Sequence, residues 1–355
     1  MSPTTASPAK LNDQQRSAHI REVVMAHGAE LRQRYPVLNR QDLIGAGILA
    51  FALAGMVGSA VLYLSGAIAW WACLLVNAFL ASLTHELEHD LIHSMYFRKQ
   101  KVAHNLMMAL VWLARPSTIN PWVRRHLHLN HHKVSGTEAD MEERAITNGE
   151  PWGLARLLMV GDNVMSSLIR MLRARSWAHR KSILVRTLKV YAPLALMNWG
   201  TWYVFLGFHA INGVSALLGA PVAWSDTTLA VMQGVDIGVV VLVGPNVLRT
   251  FCLHFVSSNM HYYGDVEPGN VIQQTQVLNP WWLWPLQAFC FNFGSTHAIH
   301  HFVVKEPFYI RQMTAPVAHK VMREMGVRFN DIGTFARANR WQAPQQPVAE
   351  RTQPA

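Results

Sequence analysis

Long uncharged stretches set the hydropathy pattern of this chain. No Asp, Glu, Lys or Arg occurs in 43–84 or in 190–225. A bilayer core of about 30 Å takes about 20 helical residues, so the first stretch is long enough for two crossings with a turn near Ser65 and Gly66. The second stretch supplies one crossing, and the apolar residues after it, interrupted by Asp236, supply another. The predicted spans are 43–64, 66–84, 190–208 and 227–248.

Shorter apolar segments lie outside these spans. Residues 105–114 and 281–293 are too short or too aromatic to cross a bilayer, and we expect them to be re-entrant or interfacial. Apolar groups alternate with five arginines in 154–181, which predicts a basic amphipathic helix on the anionic inner leaflet. The two ends, 1–12 and 342–355, are predicted to be disordered.

The basic residues give the membrane orientation. Sixteen of the 31 Lys and Arg residues lie in 85–189, and none lies in 43–84 or 190–248. Because basic segments stay on the cytoplasmic side, we expect 85–189 and both termini there. The sequence therefore predicts an all-α integral membrane protein with about four transmembrane helices and a cytoplasmic helical cap. Its parts are a cytoplasmic N-terminal segment (1–42), a membrane domain (43–310) and a cytoplasmic C-terminal segment (311–355).

The composition agrees with this class. The chain is 51% hydrophobic and 15% charged, with a mean hydropathy of +0.11, which excludes a disordered chain. Three cysteines in apolar surroundings, none in a CxxC motif, exclude a disulfide scaffold. The net charge of +10 is explained first by the membrane orientation, and we expect no nucleic-acid partner.

The 18 histidines are clustered. HELEHDLIH follows directly on the second predicted span and places His85, His89 and His93 at i, i+4 and i+8. They share one face if that helix continues into the cytoplasm. HLNHH and HAIHH each place three histidines at i, i+3 and i+4, and His254 and His261 lie in a looser segment between them. The two HxxHH boxes consist of His128, His131 and His132, and of His297, His300 and His301.

Clustered imidazoles indicate metal binding. Without a metal, their buried ring nitrogens would remain unsatisfied at a cost of about 1 to 3 kcal/mol each. One HxxxH box, two HxxHH boxes and His261 supply more ligands than the four of a tetrahedral zinc ion, so we expect two metal ions. Imidazole binds iron, zinc, copper and nickel alike. His93, His126 and His254 are further candidates as ligands or supports.

Two other metal functions fit parts of the pattern. HELEH is also an HExxH motif, in which Glu86 would be the general base and Asp236 a third ligand of a membrane zinc protease. That hypothesis leaves both HxxHH boxes unused. A metal transporter would carry its ligands within the spans rather than in cytoplasmic segments.

The chain resembles the membrane fatty acid desaturase and hydroxylase superfamily over roughly 40–310. The resemblance rests on three histidine boxes in the same order, with two spans between the second and the third: HELEH, HLNHH and HAIHH. The resemblance implies a non-haem diiron centre at the cytoplasmic helix ends, O2 as oxidant and a fatty acyl substrate. No catalytic residue is expected beyond the metal ligands. The implied ligands are His85, His89, His128, His131, His132, His261, His297, His300 and His301.

One position departs from the family pattern. In acyl-CoA desaturases of this type, an asparagine four residues before the intervening histidine acts through water, whereas Ser257 stands there in this chain. His254 or Asn259 could take its place. Carboxylates that fix the imidazole tautomers are also expected. The candidates are Glu86, Glu88, Asp90, Glu138, Asp140 and Asp265.

Longer segments point to one branch of the superfamily. The chain is similar to bacterial fatty acid decarboxylases that form terminal alkenes in three segments, HELEHDLIH, INPWVRRHLHLNHHKVSGTEADMEER and HFVVKEPFYIRQ. The HELEHD segment is also similar to the first box of alkane hydroxylases. This similarity implies a bacterial inner-membrane enzyme of lipid metabolism that decarboxylates a medium-chain free fatty acid. Acyl desaturation and hydroxylation are the alternatives. A carboxylate beside the irons would need a basic anchor, for which the candidates are Arg124, Arg125, Lys133 and Lys305.

The chain has no redox cofactor motif of its own. GxGxxG, CxxC and CxxCH are all absent from the sequence, so electrons must come from a separate protein. The basic cytoplasmic face suits an acidic ferredoxin-like carrier, supplied by its reductase. The fatty acid and membrane lipid are the other expected partners.

Overall fold

The structure is a computed structural model that describes residues 11–147 and 149–342. Within these ranges all regular structure is helical apart from two isolated β-bridges, so the all-α prediction is confirmed. In chain order the α-helices are α1 (Asp13–Arg34), α2 (Gln41–Leu64), α3 (Trp70–Ile92), α4 (Lys101–Ala114), α5 (Pro121–Val134), α6 (Met141–Thr147), α7 (Leu154–Gly161), α8 (Asn163–Arg173), α9 (Trp177–Tyr191), α10 (Leu194–Leu217), α11 (Asp226–Gly238), α12 (Gly244–Met260), α13 (Val271–Gln274), α14 (Trp284–Ala288), α15 (Phe293–Phe302) and α16 (Phe308–Glu324).

Helices cover all four predicted spans. A turn joins α2 to α3, and Gly66 in this turn has a φ of 76°, a conformation that favours glycine. α10 covers the third span. The fourth lies on one continuous helix, Asp226–Met260, in which a π-helical turn connects α11 to α12. Within the described residues, α2 and this long helix are apolar enough to cross a membrane by length and composition. Four crossings stay a prediction.

The outer faces of two of these helices are apolar. Phe51, Val57 and Val61 on α2 are more than half exposed, as are Val204 and Val214 on α10. Because soluble proteins rarely expose large contiguous apolar surfaces, these faces fit contact with lipid tails.

The single amphipathic helix predicted over 154–181 is wrong. The structure has α7, α8 and the start of α9 there. The chain breaks at Asp162, whose side chain accepts two backbone N–H bonds from the first turn of α8 and so starts a new helix. Arg156 is fully buried rather than exposed to lipid headgroups.

The N-terminal helix packs on the histidine-bearing part of the molecule. Asn12 caps α1 through a reciprocal pair of hydrogen bonds with Gln15. Ile20 and Val24 lie one turn apart on α1 and are buried against α12, α15 and α16. Asn12 therefore does not belong to a disordered end, and the predicted disorder of 1–10 and 343–355 lies outside the described residues.

Candidate metal centre

Four chain segments bring the histidine boxes together. α3 continues past the second predicted span and carries His85 and His89, and His93 is the residue that ends it. α5 carries the second box and begins after Asn120, whose side chain caps it. His261 directly follows α12, and α15 carries the third box.

One set of imidazoles, the first histidine group, comprises His89, His93, His128 and His300. One ring nitrogen of each lies within 4.8 Å of the others. His93 Nε2 is 2.9 Å from His128 Nε2 and 3.0 Å from His300 Nε2. His132 adjoins the group, because its Nε2 lies 3.1 Å from His128 Nε2 and 3.0 Å from His300 Nε2.

The second histidine group comprises His131, His261, His297 and His301, which meet the same 4.8 Å limit. His261 Nε2 lies 3.1 Å from His297 Nε2, which lies 3.3 Å from His301 Nε2. All four side chains are buried. The two groups contain eight histidines, and His132 makes nine. They come from the HELEHDLIH segment, both HxxHH boxes and the segment that carries His261.

The nitrogens of both groups fit metal coordination. Adjacent imidazole nitrogens bound to one ion at about 2.0 to 2.1 Å lie about 3.0 to 3.4 Å apart, close to the Nε2–Nε2 separations observed. Nε2 of His131 and both ring nitrogens of His89 are buried and have no hydrogen-bond partner. Buried polar atoms are normally satisfied, and a metal ion in each group would satisfy these atoms.

Three carboxylates contact the outer ring nitrogens of histidines in these groups. They come from Asp140 and the acidic first turn of α6. A carboxylate on Nδ1 fixes the tautomer and leaves Nε2 free for a metal. The pairs are Asp140 Oδ2 with His131 Nδ1 at 2.8 Å, Glu142 Oε2 with His128 Nδ1 at 2.8 Å, and Glu143 Oε2 with His261 Nδ1 at 3.2 Å.

The contacts at Nδ1 and the burial of these groups shift their pKa values in different directions. Burial opposes protonation of His131, but the hydrogen bond and the charge of Asp140 outweigh it and raise the pKa of the imidazole to about 9. At His128 burial dominates and lowers the pKa. Burial also opposes ionisation of Glu142, yet its contacts with His128 and Arg124 lower the pKa of the carboxyl. Glu142 is therefore a carboxylate that accepts the Nδ1–H of a neutral imidazole.

Only one of the acids predicted to orient the histidines makes such a contact. Asp140 does, whereas Glu138 is exposed and Asp265 accepts hydrogen bonds from the backbone N–H groups of residues 341 and 342. Glu142 and Glu143 were not among the acids predicted from the sequence. The signal was the acidic run ADMEER shortly after the second box, which a short helix turns back towards the histidines.

The three acids of α3 are buried and pair mainly with arginines, although Asp90 Oδ1 also lies 3.9 Å from His89 Nδ1. Arg311 Nη2 lies 2.9 Å from Asp90 Oδ1 and 3.5 Å from Glu86 Oε2. Glu86 is thus held in an ion pair. Glu88 pairs with Arg115 and Arg124.

The other candidate ligands lie apart from both groups. His126 is exposed. The side-chain amide of Asn259 is occupied, because Oδ1 accepts from Arg156 Nη2 at 2.7 Å and Nδ2 donates to the carbonyl of Phe255 at 2.6 Å. Asp236 lies 2.8 Å from His209 Nε2 on α10.

The predicted carboxylate anchors are engaged or exposed. Arg124 forms ion pairs with Glu88 and Glu142, and Arg125 donates to a serine hydroxyl. Lys133 and Lys305 are exposed. None of the four is a buried cation that lacks a partner.

A cavity of about 120 Å³ lies beside the histidines. It is lined by four histidines of the boxes, His85, His128, His131 and His297, and by His254 of α12. Nε2 of His85 is buried without a hydrogen-bond partner. A small organic group in this cavity would therefore contact residues of both histidine groups.

A family of known proteins matches most of the chain. The family model described as "Fatty acid desaturase" matches residues 65–333, a range that contains every histidine of the two groups. A search of curated proteins gave no match.

Proposed function

The chain belongs to the fatty acid desaturase family, and from this premise we propose that it is a membrane diiron enzyme that oxidatively decarboxylates a free fatty acid. Two groups of buried imidazoles, each with closely spaced ring nitrogens, carry the diiron part of the proposal. The terminal-alkene product is supported by the sequence similarity to alkene-forming decarboxylases.

Each ion would have its own set of ligands. Two iron ions would supply the oxidant from O2 that an unactivated C–H bond requires. Asp140 and Glu142 accept the Nδ1–H groups of His131 and His128, and the Ser257 carbonyl accepts that of His261, so three imidazoles are oriented. The first ion would be held by His89, His93, His128, His132 and His300. The second would be held by His131, His261, His297 and His301, with His85 as a further ligand from the cavity wall.

His93 adds a ligand to the three boxes but does not replace the asparagine expected at position 257. The sequence lacks the usual asparagine there, and Asn259 is bound to Arg156. His93 lies in the first histidine group and brings the imidazoles available to that ion to five. Ser257 lies beside His261 in the second group, where its carbonyl is 3.1 Å from His261 Nδ1, so His93 adds to the first ion and not to the ion beside Ser257.

The overall reaction balances with an external electron source. A fatty acid loses its carboxyl group as CO2 and one hydrogen from the β-carbon, and the product is an alkene one carbon shorter. One O2, two electrons and two protons are consumed, and two waters form. A ferredoxin-like carrier is the proposed donor, because basic residues line the cytoplasmic segments. Acyl desaturation and hydroxylation are the alternative outcomes.

The proposed membrane topology follows from the positions of the apolar spans and the basic residues. We propose four crossings in a bacterial inner membrane, with the histidine groups and both termini in the cytoplasm. The first box lies where α3 leaves its predicted span. The apolar outer faces of α2 and α10 support lipid contact.

A zinc protease using HELEH is less well supported. Asp236, its expected third ligand, contacts His209 instead, and Glu86 is held by Arg311. The protease hypothesis also leaves the second histidine group without a role.

Metal analysis and product analysis together test the proposal. Purified protein should hold about two irons per chain, whereas one zinc per chain would support the protease. Uniformly carbon-labelled dodecanoic acid should then be supplied with O2 and reduced ferredoxin. A product with one carbon fewer and a vinyl end is expected. An unsaturated or hydroxylated acid with all carbons retained would contradict decarboxylation but not the diiron assignment.

A further inference from the structure

Arg249 on α12 differs from the other fully buried arginines. Its guanidinium donates only to two hydroxyl groups, Ser117 Oγ at 3.4 Å and Thr250 Oγ1 at 3.1 Å. Nε and Nη1 have no hydrogen-bond partner. Within the described residues, the arginines that are almost completely buried are Arg115, Arg156, Arg249 and Arg311.

The other three have closer oxygen partners, which for Arg115 and Arg311 are carboxylates. Arg115 and Arg311 form ion pairs with acids of α3. Arg156 donates to two backbone carbonyls and to the Asn259 amide. In the part of the chain that the structure describes, no carboxylate lies within ion-pair distance of Arg249. A buried cation without an anion is unfavourable, so Arg249 is expected to have a partner that is not part of this chain.

Arg249 is one of the residues that line the cavity beside the histidine groups. His85 and His297 line this cavity on the histidine side. His254 lies near Arg249, and its Nδ1 is buried without a partner. The remaining wall includes apolar side chains such as Leu253. The cavity therefore combines an uncompensated cation, polar ring nitrogens and an apolar surface.

We propose that Arg249 binds the carboxylate of a free fatty acid in this cavity. The inference rests on the proposed function and specifies its substrate as the free acid. Guanidinium groups form strong charge-assisted hydrogen bonds with carboxylates, and Nε and Nη1 are available donors. An uncharged thioester carbonyl would leave the charge of Arg249 uncompensated.

This placement also determines which carbons lie near the metal ligands. A carboxylate on Arg249 shares the cavity with His85 and His297, so the first carbons of the chain lie beside the histidines. A mid-chain methylene would lie there only if the carboxyl end were bound elsewhere. Carboxylate binding by Arg249 thus favours chemistry at the β-carbon over chemistry in the middle of the chain.

Ligand binding to the iron-loaded protein, kept without O2 and without an electron donor, tests the assignment without depending on turnover. Affinities of radiolabelled dodecanoate and of the neutral dodecanol should be measured for the wild type, Arg249→Gln, Arg249→Lys and the exposed control Arg186→Gln. We expect Arg249→Gln to lose at least tenfold in dodecanoate affinity with little change for dodecanol. Arg249→Lys should retain part of the affinity, and Arg186→Gln should match the wild type.

Thermal melting separates binding from a structural role. Because Arg249 has no compensating anion in the ligand-free protein, Arg249→Gln should melt no lower than the wild type, and dodecanoate should stabilise only the wild type. Unchanged dodecanoate affinity in Arg249→Gln, or an equal loss for dodecanol, would overturn the proposal. The proposal would also be overturned if inorganic phosphate displaced the bound ligand and the protein showed no preference for dodecanoate over dodecanol. Absence of iron from the holoprotein would instead contradict the diiron function.

Discussion

Asn259 Oδ1 accepts a hydrogen bond of 2.7 Å from Arg156 Nη2, and both side chains are buried. The same Nη2 donates to the carbonyl of Ser258 at 2.9 Å. These acceptors lie at the C-terminal end of α12, immediately before His261 leaves the helix. Arg156 of α7 therefore stabilises the end of α12 that positions His261 in the second histidine group.

Replacement of Arg156 by methionine should destabilise the protein. The change leaves buried oxygens of α12 without donors, at a cost of about 1 to 3 kcal/mol for each unsatisfied group. Thermal melting in detergent should show a lower midpoint than for Arg175→Met, an exposed control. Equal midpoints for the two variants would contradict the inferred role.

Glu142→Gln should weaken metal binding, whereas Glu138→Gln should not. Glu142 accepts the Nδ1–H of His128, and loss of such an orienting carboxylate typically costs 10 to 100-fold in metal affinity. Glu138 is exposed and lies four residues away. Iron titration of both variants gives the comparison, and similar affinities would show that the carboxylate on His128 is dispensable.

Loss of a ligand histidine should deplete iron together with activity. We expect this loss for the alanine variants of seven histidines: His85, His93, His128, His132, His261, His297 and His301. His104 and His319 contact backbone carbonyls, so their alanine variants and His179→Ala should keep both iron and turnover. Full iron content in His128→Ala or His300→Ala would show that the boxes do not form the metal site.

Cysteine labelling should reveal the proposed topology. Ala220→Cys, in the loop after α10, should react with an impermeant reagent added from outside the cell, and Glu138→Cys should not. Both positions are exposed, whereas Ser135 is buried and would not react from either side. The native cysteines are buried and give little background. The reverse labelling pattern would exclude a cytoplasmic histidine cluster.

The sequence predicted the parts of the site that follow from spacing along one helix. The i, i+4 and i+8 positions of His85, His89 and His93 required only that α3 continue past its span, and it does. The two HxxHH boxes could likewise be assigned to helix faces. An all-helical fold followed from the hydropathy pattern.

Contacts between distant segments could not be predicted in this way. Arg156 appeared to be one of several lipid-facing arginines, because the break at Asp162 depends on a cap rather than on hydropathy. Arg124 was a reasonable anchor by its position near the second box, but Glu88, 36 residues earlier, neutralises it. The isolation of Arg249 appears only when the partners of all buried arginines are known.

The ligands of the two histidine groups come from segments as far apart as His89 and His301. Metal ions bound there would act as cross-links between helices that are synthesised at very different times. Since ligand binding stabilises only the folded state, the cap should be protease-sensitive until iron is loaded. Cellular iron supply would then control how much of this protein survives, as well as how fast it works.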